Sequence, residues 1–303
     1  MRIGVDVGGT KIEAIAIDAA GGERARRRVA TPAGDYRGTV AAVRGLVLGL
    51  EGDLGESARV GVGMPGAVSQ ATGLIKNANS THLNGQPFVA DLALALQREV
   101  RVDNDANCFA LSEASDGAGA GHRLVFGVIL GTGVGGGIVH DGRVWVGPNA
   151  IAGEWGHNEL PARTEPNLPD TQCYCGRVRC IETYLSGPGL AKDHARGEPV
   201  HLDALAIVAL ARAGDAGAKA TLRRYVNRLA SALAGVVNVL DPDVIVLGGG
   251  LSNVDELYAS MASLLPSHVF SDRCTTPVLR NRHGDSSGVR GAAWLWPADD
   301  AAA

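Results

Sequence analysis

Three of the five cysteines in this 303-residue chain fall within eight residues, at Cys173, Cys175 and Cys180. A histidine, His157, lies sixteen residues before the first of them. One imidazole and three thiolates form a ligand set that suits a tetrahedral Zn²⁺ ion. Four protein ligands leave no open coordination position, so we expect a zinc ion here to be structural rather than catalytic.

A disulfide framework is the alternative for cysteines at this density. No signal peptide is recognisable ahead of them, and an odd total of five cysteines fits a secreted framework poorly. The clustering, and the reducing compartment that these features indicate, favour a metal over disulfides. The same features predict a cytoplasmic protein.

Two glutamates bracket the cysteine-rich loop, Glu154 before it and Glu182 after it. The loop has no apolar periodicity, so a metal ion would supply the rigidity that its own side chains lack. Carboxylates accept hydrogen bonds from hydroxyl groups. Two carboxylates held at fixed positions therefore predict a site for a polyol such as a sugar.

Three glycine-rich turns follow strand-like segments and predict phosphate binding. Glycine allows neighbouring backbone amides to point at an anion, and a threonine hydroxyl adds a donor. Two of the turns contain threonine and occupy matching places in two parts of the chain, so we expect them to hold a polyphosphate from both sides. The turns are Gly8-Gly9-Thr10-Lys11, Gly131-Thr132-Gly133 and Gly248-Gly249-Gly250.

Residues 131–136 also match the dinucleotide-binding pattern G-x-G-x-x-G, with Glu154 about twenty residues further on. That pattern requires a helix directly after the turn, whereas residues 138–146 read as strands around Asp141-Gly142. A dehydrogenase is therefore disfavoured. No G-x-x-x-x-G-K-[ST] motif occurs in the sequence, so neither of the two threonine-containing turns is a P-loop.

Asp105 follows a short predicted strand and opens a predicted helix. The positive end of a helix dipole keeps a carboxylate ionised, and such a carboxylate can take the proton of a hydroxyl that attacks a γ-phosphoryl group. Asn104 or Asp105 is also suited to cap the helix, and taken alone a cap explains Asp105 better. The phosphate turns shift the interpretation towards a catalytic base.

The elements that must position these residues occur twice along the chain. Residues 3–10 and 126–133 each run from a strand into a Gly/Thr turn, and each is followed by a second strand and a hairpin. This repetition predicts two lobes on one plan. Aromatic residues make up only 4% of the chain, so we expect aliphatic cores of the kind found where helices cover a sheet.

Length and charge narrow the class of protein further. A chain of 303 residues is long enough for about two domains. A net charge of −4 and an isoelectric point near 6.1 argue against a nucleic-acid partner. No apolar run approaches the ~18 residues of a membrane span. We therefore expect a protein that acts on small molecules, not on nucleic acid or in a membrane.

Together these motifs resemble the ROK sugar kinases of the hexokinase, actin and Hsp70 superfamily, nearly from end to end of the chain. The resemblance implies an α/β fold of two RNase-H-like lobes around a central cleft, with a zinc-binding loop in the second lobe. It implies a small lobe of residues 1–118, completed by a C-terminal helix at 285–303, and a large lobe of residues 119–284. The motifs that carry it are Asp6-Val7-Gly8-Gly9-Thr10-Lys11, Asn104-Asp105, Gly131-Thr132-Gly133, Glu154-Trp155-Gly156-His157, Cys173-x-Cys175-Gly176, Cys180-Ile181-Glu182 and residues 241–250.

The resemblance also implies roles for individual residues. Asp105 would deprotonate the primary hydroxyl of a sugar, and Asp6 would lie near Mg²⁺ and the γ-phosphate of ATP. His157 would bind zinc through one ring nitrogen and face the sugar with the other side of its ring. A homodimer is usual for such proteins. The residues implied to bind the sugar are Gly66, Asn79, Asn104, Asp105, Glu154, His157 and Glu182. ATP would be bound by Asp6 and the three glycine-rich turns, with Gly248-Gly249-Gly250 on the adenosine side. The implied zinc ligands are His157, Cys173, Cys175 and Cys180.

Two segments, residues 76–87 and 283–288, most resemble bacterial fructokinases of the manno(fructo)kinase type, so we expect D-fructose to be converted to fructose 6-phosphate. N-acetylglucosamine kinases share the run from Asn104 to Ala110 and are the alternative, together with broad-specificity gluco- and mannokinases. ROK proteins also include sugar-sensing repressors. These carry a helix-turn-helix before the sugar domain, and the first strand here begins at Arg2, so we expect an enzyme.

One residue departs from the pattern of the family. Glycine usually stands directly before the third cysteine, and this chain has Arg179 there. If the position needs a positive φ, we expect the arginine to strain the loop.

Overall fold

A computed structural model describes residues 1–161, 165, 168–197 and 201–297. The chain divides into two compact units. Unit 1 consists of Met1–Gly121, Gly137–Ala152 and Arg282–Ala303, and unit 2 of His122–Gly136 and Gly153–Asn281. The domain boundaries expected at residues 118 and 284 stay a prediction.

The first sheet lies in unit 1 and comes from the first hundred or so residues. Its strands are β1 (Arg2–Val7), β2 (Lys11–Ile17), β3 (Glu23–Ala30), β4 (Arg59–Met64) and β7 (Val100–Asn104). Between β4 and β7, β5 (Ala67–Val68) and β6 (Ile75–Lys76) form a separate two-stranded sheet. The order in the sheet is β3-β2-β1-β4-β7. β1 pairs antiparallel with β2 because a tight turn joins them, and β1, β4 and β7 run parallel. The carboxyl ends of these three strands therefore share one edge.

The second sheet repeats this arrangement. Its strands are β8 (Leu124–Leu130), β9 (Val134–His140), β10 (Arg143–Val144), β11 (Val244–Gly248) and β12 (Val278–Arg280). The order is β10-β9-β8-β11-β12, and β11 is parallel to both β8 and β12. The order matches that of the first sheet strand for strand. The repeated plan expected from the two Gly/Thr segments is confirmed.

Helices separate the strands and cover the sheets. They are α1 (Tyr36–Leu54), α2 (Phe88–Leu96), α3 (Asp105–Ser115), α4 (Glu182–Leu185), α5 (Gly187–Gly197), α6 (Ala204–Ala213), α7 (Ala216–Leu240), α8 (Asp255–His268) and α9 (Ser287–Trp294). None of the helices in the described ranges combines the length and apolar character that a bilayer span requires.

The first sheet is covered on both faces, which explains why β1 is buried along nearly its whole length. On one face, Val43 and Val47 of α1 join Ile3 and Val5 in a core cluster. On the other face, Val289 and Ala293 of α9 pack against Ile15 and Ile17 of β2. The C-terminal helix is thus part of the core of unit 1.

The C-terminal helix is shorter than the expected range of 285–303. A 3₁₀ turn at Gly284–Ser286 precedes it, and α9 ends at Trp294. Pro297 disfavours a helical conformation at the residue before it, which limits any extension of α9. Residues 298–303 lie outside the described ranges.

Candidate functional site

Unit 1 gathers several of the predicted site residues at the shared edge of β1, β4 and β7. Asp6 is in register with Gly63, and Gly63 with Asp103, so the ends of the three strands are level. The side-chain amide of Asn104 donates to the carbonyl oxygen of Gly66 at 2.9 Å. The carboxyl ends of parallel strands are a common place for ligands in α/β proteins.

Gly66 brings the segment that carries Asn79 to the same edge. Its φ is 81°, and a Cβ at this position would lie 2.5 Å from the carbonyl oxygen of Lys76 and 2.7 Å from the amide nitrogen of Ala78. Only glycine allows this approach. Asn84 then holds Ala78 with two hydrogen bonds of 2.9 Å, one to its amide and one to its carbonyl group.

Asp105 is the first residue of α3, and Asn104 is the N-cap. The Asn104 Oδ1 accepts a hydrogen bond from the backbone amide of Ala106 at 2.8 Å, and one oxygen of Asp105 shares the same amide at 2.8 Å. The capping function is therefore met by Asn104. Asp105 is exposed at the positive end of the helix, a setting that favours an ionised carboxylate.

Asp6 is affected by the charge of Asp105. Burial raises the pKa of the Asp6 carboxyl to about 6, and the charges of Asp105 and Glu13 contribute to the rise while Lys11 opposes it. Neighbouring carboxylates are oxygen ligands of the kind that Mg²⁺ prefers, and a cation would offset their repulsion. The donor chemistry of these residues therefore fits Mg²⁺.

The two glycine-rich turns of unit 2 lie at the ends of neighbouring parallel strands. Gly248, the last residue of β11, is in register with Ile129 of β8. The turn after β8 is closed by a 2.9 Å hydrogen bond from the amide of Gly131 to the carbonyl oxygen of Gly133. Because β9 begins at Val134 directly after this turn, no helix follows it. The dinucleotide-binding interpretation is excluded on this point.

Glu182 connects the turn at Gly131–Gly133 to the cysteine-rich loop. Its Oε2 accepts a hydrogen bond from the amide of Val134 at 3.0 Å. A Cβ on Gly133 would lie 2.5 Å from this oxygen, so a larger residue there would displace the carboxylate of Glu182. Nothing in the linear sequence indicated this contact between a predicted sugar ligand and a predicted phosphate turn.

The four predicted zinc ligands come together in unit 2. The His157 nitrogen and the three cysteine Sγ atoms all lie within 4.8 Å of one another. The Sγ atoms of Cys175 and Cys180 are 3.6 Å apart, and Cys173 Sγ is 3.7 Å from Nδ1 of His157. A tetrahedral zinc with Zn–S bonds of about 2.3 Å sets its sulfur ligands roughly 3.8 Å apart. The donor set and its spacing therefore fit zinc.

A short backbone hairpin presents these ligands. The amide of Cys173 donates a hydrogen bond to the carbonyl oxygen of Arg177 at 2.8 Å. The amide of Arg179 donates one to the carbonyl oxygen of Thr171 at 3.0 Å. Arg179 has a φ of 61°, so the positive φ considered for this position is present. Its side chain forms an ion pair with Asp170. The arginine therefore adopts a strained backbone conformation that costs on the order of 1 kcal/mol.

His157 is held between the metal ligands and a tyrosine. Its Nδ1 faces Cys173, while its Nε2 lies 3.1 Å from the hydroxyl of Tyr174. The two rings meet edge to face, with centroids 5.3 Å apart. Desolvation of the Tyr174 hydroxyl raises its pKa to about 12, and the charges of Glu182 and Glu154 contribute to this rise.

A buried polar cluster in unit 1 was missed by the sequence analysis. The carboxylate of Glu113 on α3 is fully buried and accepts hydrogen bonds from the amide of Arg282 at 3.0 Å and the hydroxyl of Ser287 at 2.8 Å. Asp116 pairs with His283 at 2.9 Å and with Arg290. Burial alone would raise the pKa of Asp116, but His283 and Arg290 hold it below its usual value.

The whole chain is similar to proteins of known class. A sequence profile of the ROK family matches residues 2–299. The chain belongs to the ROK family. The N-acetyl-D-glucosamine kinase of Salmonella paratyphi B is 42% identical to it over 299 residues, which cover 97% of this chain and 99% of the relative. The resemblance to ROK sugar kinases is confirmed, and with it the expected enzyme class, an ATP-dependent sugar kinase.

Solved structures of ROK proteins share the fold. The ROK hexokinase of Thermus thermophilus is 30% identical, with a TM-score of 0.87 and 97% of each chain covered. The ROK glucokinase of Streptomyces griseus, solved with glucose and AMPPNP, is 29% identical, with a TM-score of 0.77 and coverage of 97% of this chain and 98% of that one. The expected α/β fold of the hexokinase and actin type is confirmed. These relatives do not support the prediction that fructose is the substrate.

Proposed function

We propose that this ROK protein transfers the γ-phosphoryl group of ATP to the 6-hydroxyl of N-acetyl-D-glucosamine. The observation that carries the proposal is the 42% identity to the Salmonella kinase, which extends over nearly the full length of both chains. Glucose is the second candidate, because the Streptomyces griseus relative is a glucokinase solved with glucose. D-fructose, expected from residues 76–87 and 283–288, has no comparable support.

In unit 1, we assign Asp105 as the general base. Its carboxylate lies at the start of α3, where the helix dipole favours the ionised form that can accept the proton of the sugar hydroxyl. Asn79, Asn104 and the backbone of Gly66 are assigned to the other hydroxyls. The hydrogen bonds between Asn104 and Gly66 and between Asn84 and Ala78 hold these segments in place without a bound sugar, which supports the assignment.

We assign Asp6 to the side of the reaction that involves Mg²⁺ and ATP. When bound, the magnesium ion neutralises charge that develops on the phosphoryl oxygens. The three turns supply backbone amides and a hydroxyl to the phosphates, with Gly248–Gly250 on the adenosine side. The support for this assignment is that each turn follows a strand at the end where α/β proteins bind ligands.

In unit 2, Glu154, His157 and Glu182 are assigned to the remaining sugar hydroxyls. Zinc on His157, Cys173, Cys175 and Cys180 would fix the loop that carries them, and with four protein ligands it would supply no chemistry to phosphoryl transfer. The hydrogen bond of Glu182 to Val134 already orients one of the carboxylates. The homodimer implied by the family stays a prediction.

A coupled ADP-release assay with N-acetylglucosamine, glucose, mannose and fructose tests the substrate. We expect kcat/KM for N-acetylglucosamine to be at least about tenfold above that for the other three sugars. A higher value for fructose or glucose would replace the proposed substrate within the same reaction. If no sugar were phosphorylated although calorimetry detected sugar binding, the protein would be a sugar sensor instead.

The Asp105→Asn variant tests the mechanism. Removing a general base lowers rates by about 10²–10⁴-fold, so we expect kcat to fall by this factor. The affinity for the sugar, measured by calorimetry without ATP, should stay within a few-fold of the parent because the side chain keeps its size. A kcat within tenfold of the parent would remove Asp105 from the mechanism.

A further inference from the structure

Tyr174 combines a fixed backbone with a largely exposed side chain. It stands between two of the predicted zinc ligands, in a turn closed by a 3.1 Å hydrogen bond from the amide of Gly176 to the carbonyl oxygen of Cys173. Nevertheless, 84% of the residue's surface is exposed. The ring can therefore leave its position by rotating into solvent while the metal-binding loop keeps its shape.

The hydroxyl of Tyr174 is paired with one specific atom, the Nε2 of His157, at 3.1 Å. A ring nitrogen of neutral histidine offers either one hydrogen or one lone pair, so it forms one hydrogen bond at a time. The other ring nitrogen, Nδ1, faces Cys173 and belongs to the metal-binding group. A sugar hydroxyl that is to bind His157 must therefore take the place of the phenol.

We propose that Tyr174 is a specificity-determining residue that occupies the sugar-binding nitrogen of His157 and must be displaced by a sugar hydroxyl. This inference rests on the proposed function, in which His157 binds the sugar. The phenol ring also meets the ring of His157 edge to face, with centroids 5.3 Å apart, so it lies directly against the nitrogen assigned to the sugar. A ligand with no hydroxyl for this nitrogen leaves the phenol in place and gains nothing from His157.

The Tyr174→Phe variant of the 303-residue chain, purified in the presence of zinc, isolates the effect of the hydroxyl. Without it, the sugar has no competitor for His157, so KM for N-acetylglucosamine should fall by about two- to tenfold, the worth of one net hydrogen bond. The Kd from calorimetry without ATP should fall by the same factor. We expect kcat, KM for ATP and zinc content to stay within twofold of the parent.

Tyr36→Phe is the matched control. It also removes a phenol hydroxyl, one that bonds to Asp91 at 2.6 Å on the α1 and α2 side of unit 1, so its KM for the sugar should equal that of the parent. An unchanged or higher sugar KM in Tyr174→Phe would overturn the inference. So would a loss of zinc, since the phenol would then be needed for the loop itself.

The Tyr174→Ala variant distinguishes displacement from stacking of the ring on the sugar. Displacement predicts a lower KM for Ala as well as Phe. A higher KM for Ala with an unchanged KM for Phe would mean that the ring supports the sugar, and it would contradict the inference. Failure of the proposed function is visible separately, as a parent protein without activity on N-acetylglucosamine.

Discussion

At the scale of single residues, the ionised carboxylate of Asp6 lowers the stability of the fold when no cation is bound. Burial raises its pKa from 3.8 to about 6, with help from the charges of Asp105 and Glu13. Between these two values the folded protein binds more protons than the unfolded chain, so stability decreases as the pH rises through this window. At neutral pH, Asp6 is ionised at a cost that a bound cation would offset.

Replacing Asp6 with asparagine should remove this cost. In the absence of Mg²⁺, we expect Asp6→Asn to raise the free energy of unfolding at pH 7 by ~1–3 kcal/mol, because the neutral amide needs no ionisation. The gain should shrink as the pH falls and vanish near pH 4, where the parent carboxyl is protonated in the folded state. Urea denaturation at several pH values measures this trend.

Asp53→Asn is the control for this measurement, because Asp53 pairs with Arg27 at an exposed site where both side chains keep more than two-fifths of their surface. Exposed ion pairs contribute little, so its effect should stay below about 1 kcal/mol at neutral pH. An Asp6→Asn variant that is less stable than the parent at pH 7 would contradict the account of Asp6.

At the scale of elements, Glu113 joins the end of α3 to the segment that leads into α9. Besides Arg282 and Ser287, its carboxylate accepts a hydrogen bond from the amide of Ala118 at 2.9 Å. α3 begins with Asp105, and α9 passes close to Asp6, since a Cβ on Gly288 would lie 3.7 Å from that carboxylate. Glu113 thus fixes two helices that border the candidate catalytic residues.

Glu113→Gln should therefore destabilise unit 1. A glutamine keeps the size but turns an NH₂ group towards backbone and hydroxyl donors, and buried donors without acceptors cost about 1–3 kcal/mol each. We expect the free energy of unfolding to fall by ~2–4 kcal/mol in urea. Glu256→Gln, which removes a surface contact with Arg212, should change it by less than about 1 kcal/mol. Equal effects of the two substitutions would contradict the role given to Glu113.

At the scale of the whole molecule, the parts that the sequence predicted are those with local signals. The cysteine spacing and the glycine turns at strand ends each depend on a few neighbouring residues. The positive φ of Arg179 is different, because only the family resemblance, with its usual glycine at that position, pointed to it, and only as a condition. The Glu113 cluster could not be predicted, because the donors in Arg282, His283 and Ser287 lie about 170 residues further along the chain. The choice of sugar is hard to predict for a related reason, since discrimination between sugars depends on a few contacts rather than on motifs.

The cysteine-rich loop is one small segment that should affect sugar binding without affecting the fold. The parent should contain about one zinc per chain, and Cys180→Ser should lose most of it. Without the ion, the loop at residues 171–181 no longer fixes His157 and Glu182, so KM for the sugar should rise at least tenfold. KM for ATP should change less. Far-ultraviolet circular dichroism should be nearly unchanged, since this loop contains little helix.

Cys274→Ser, outside the metal-binding group, should keep both zinc and the parental KM. Less than half a zinc per chain in the parent, or a parental KM in a zinc-free Cys180→Ser protein, would contradict the structural role assigned to the metal.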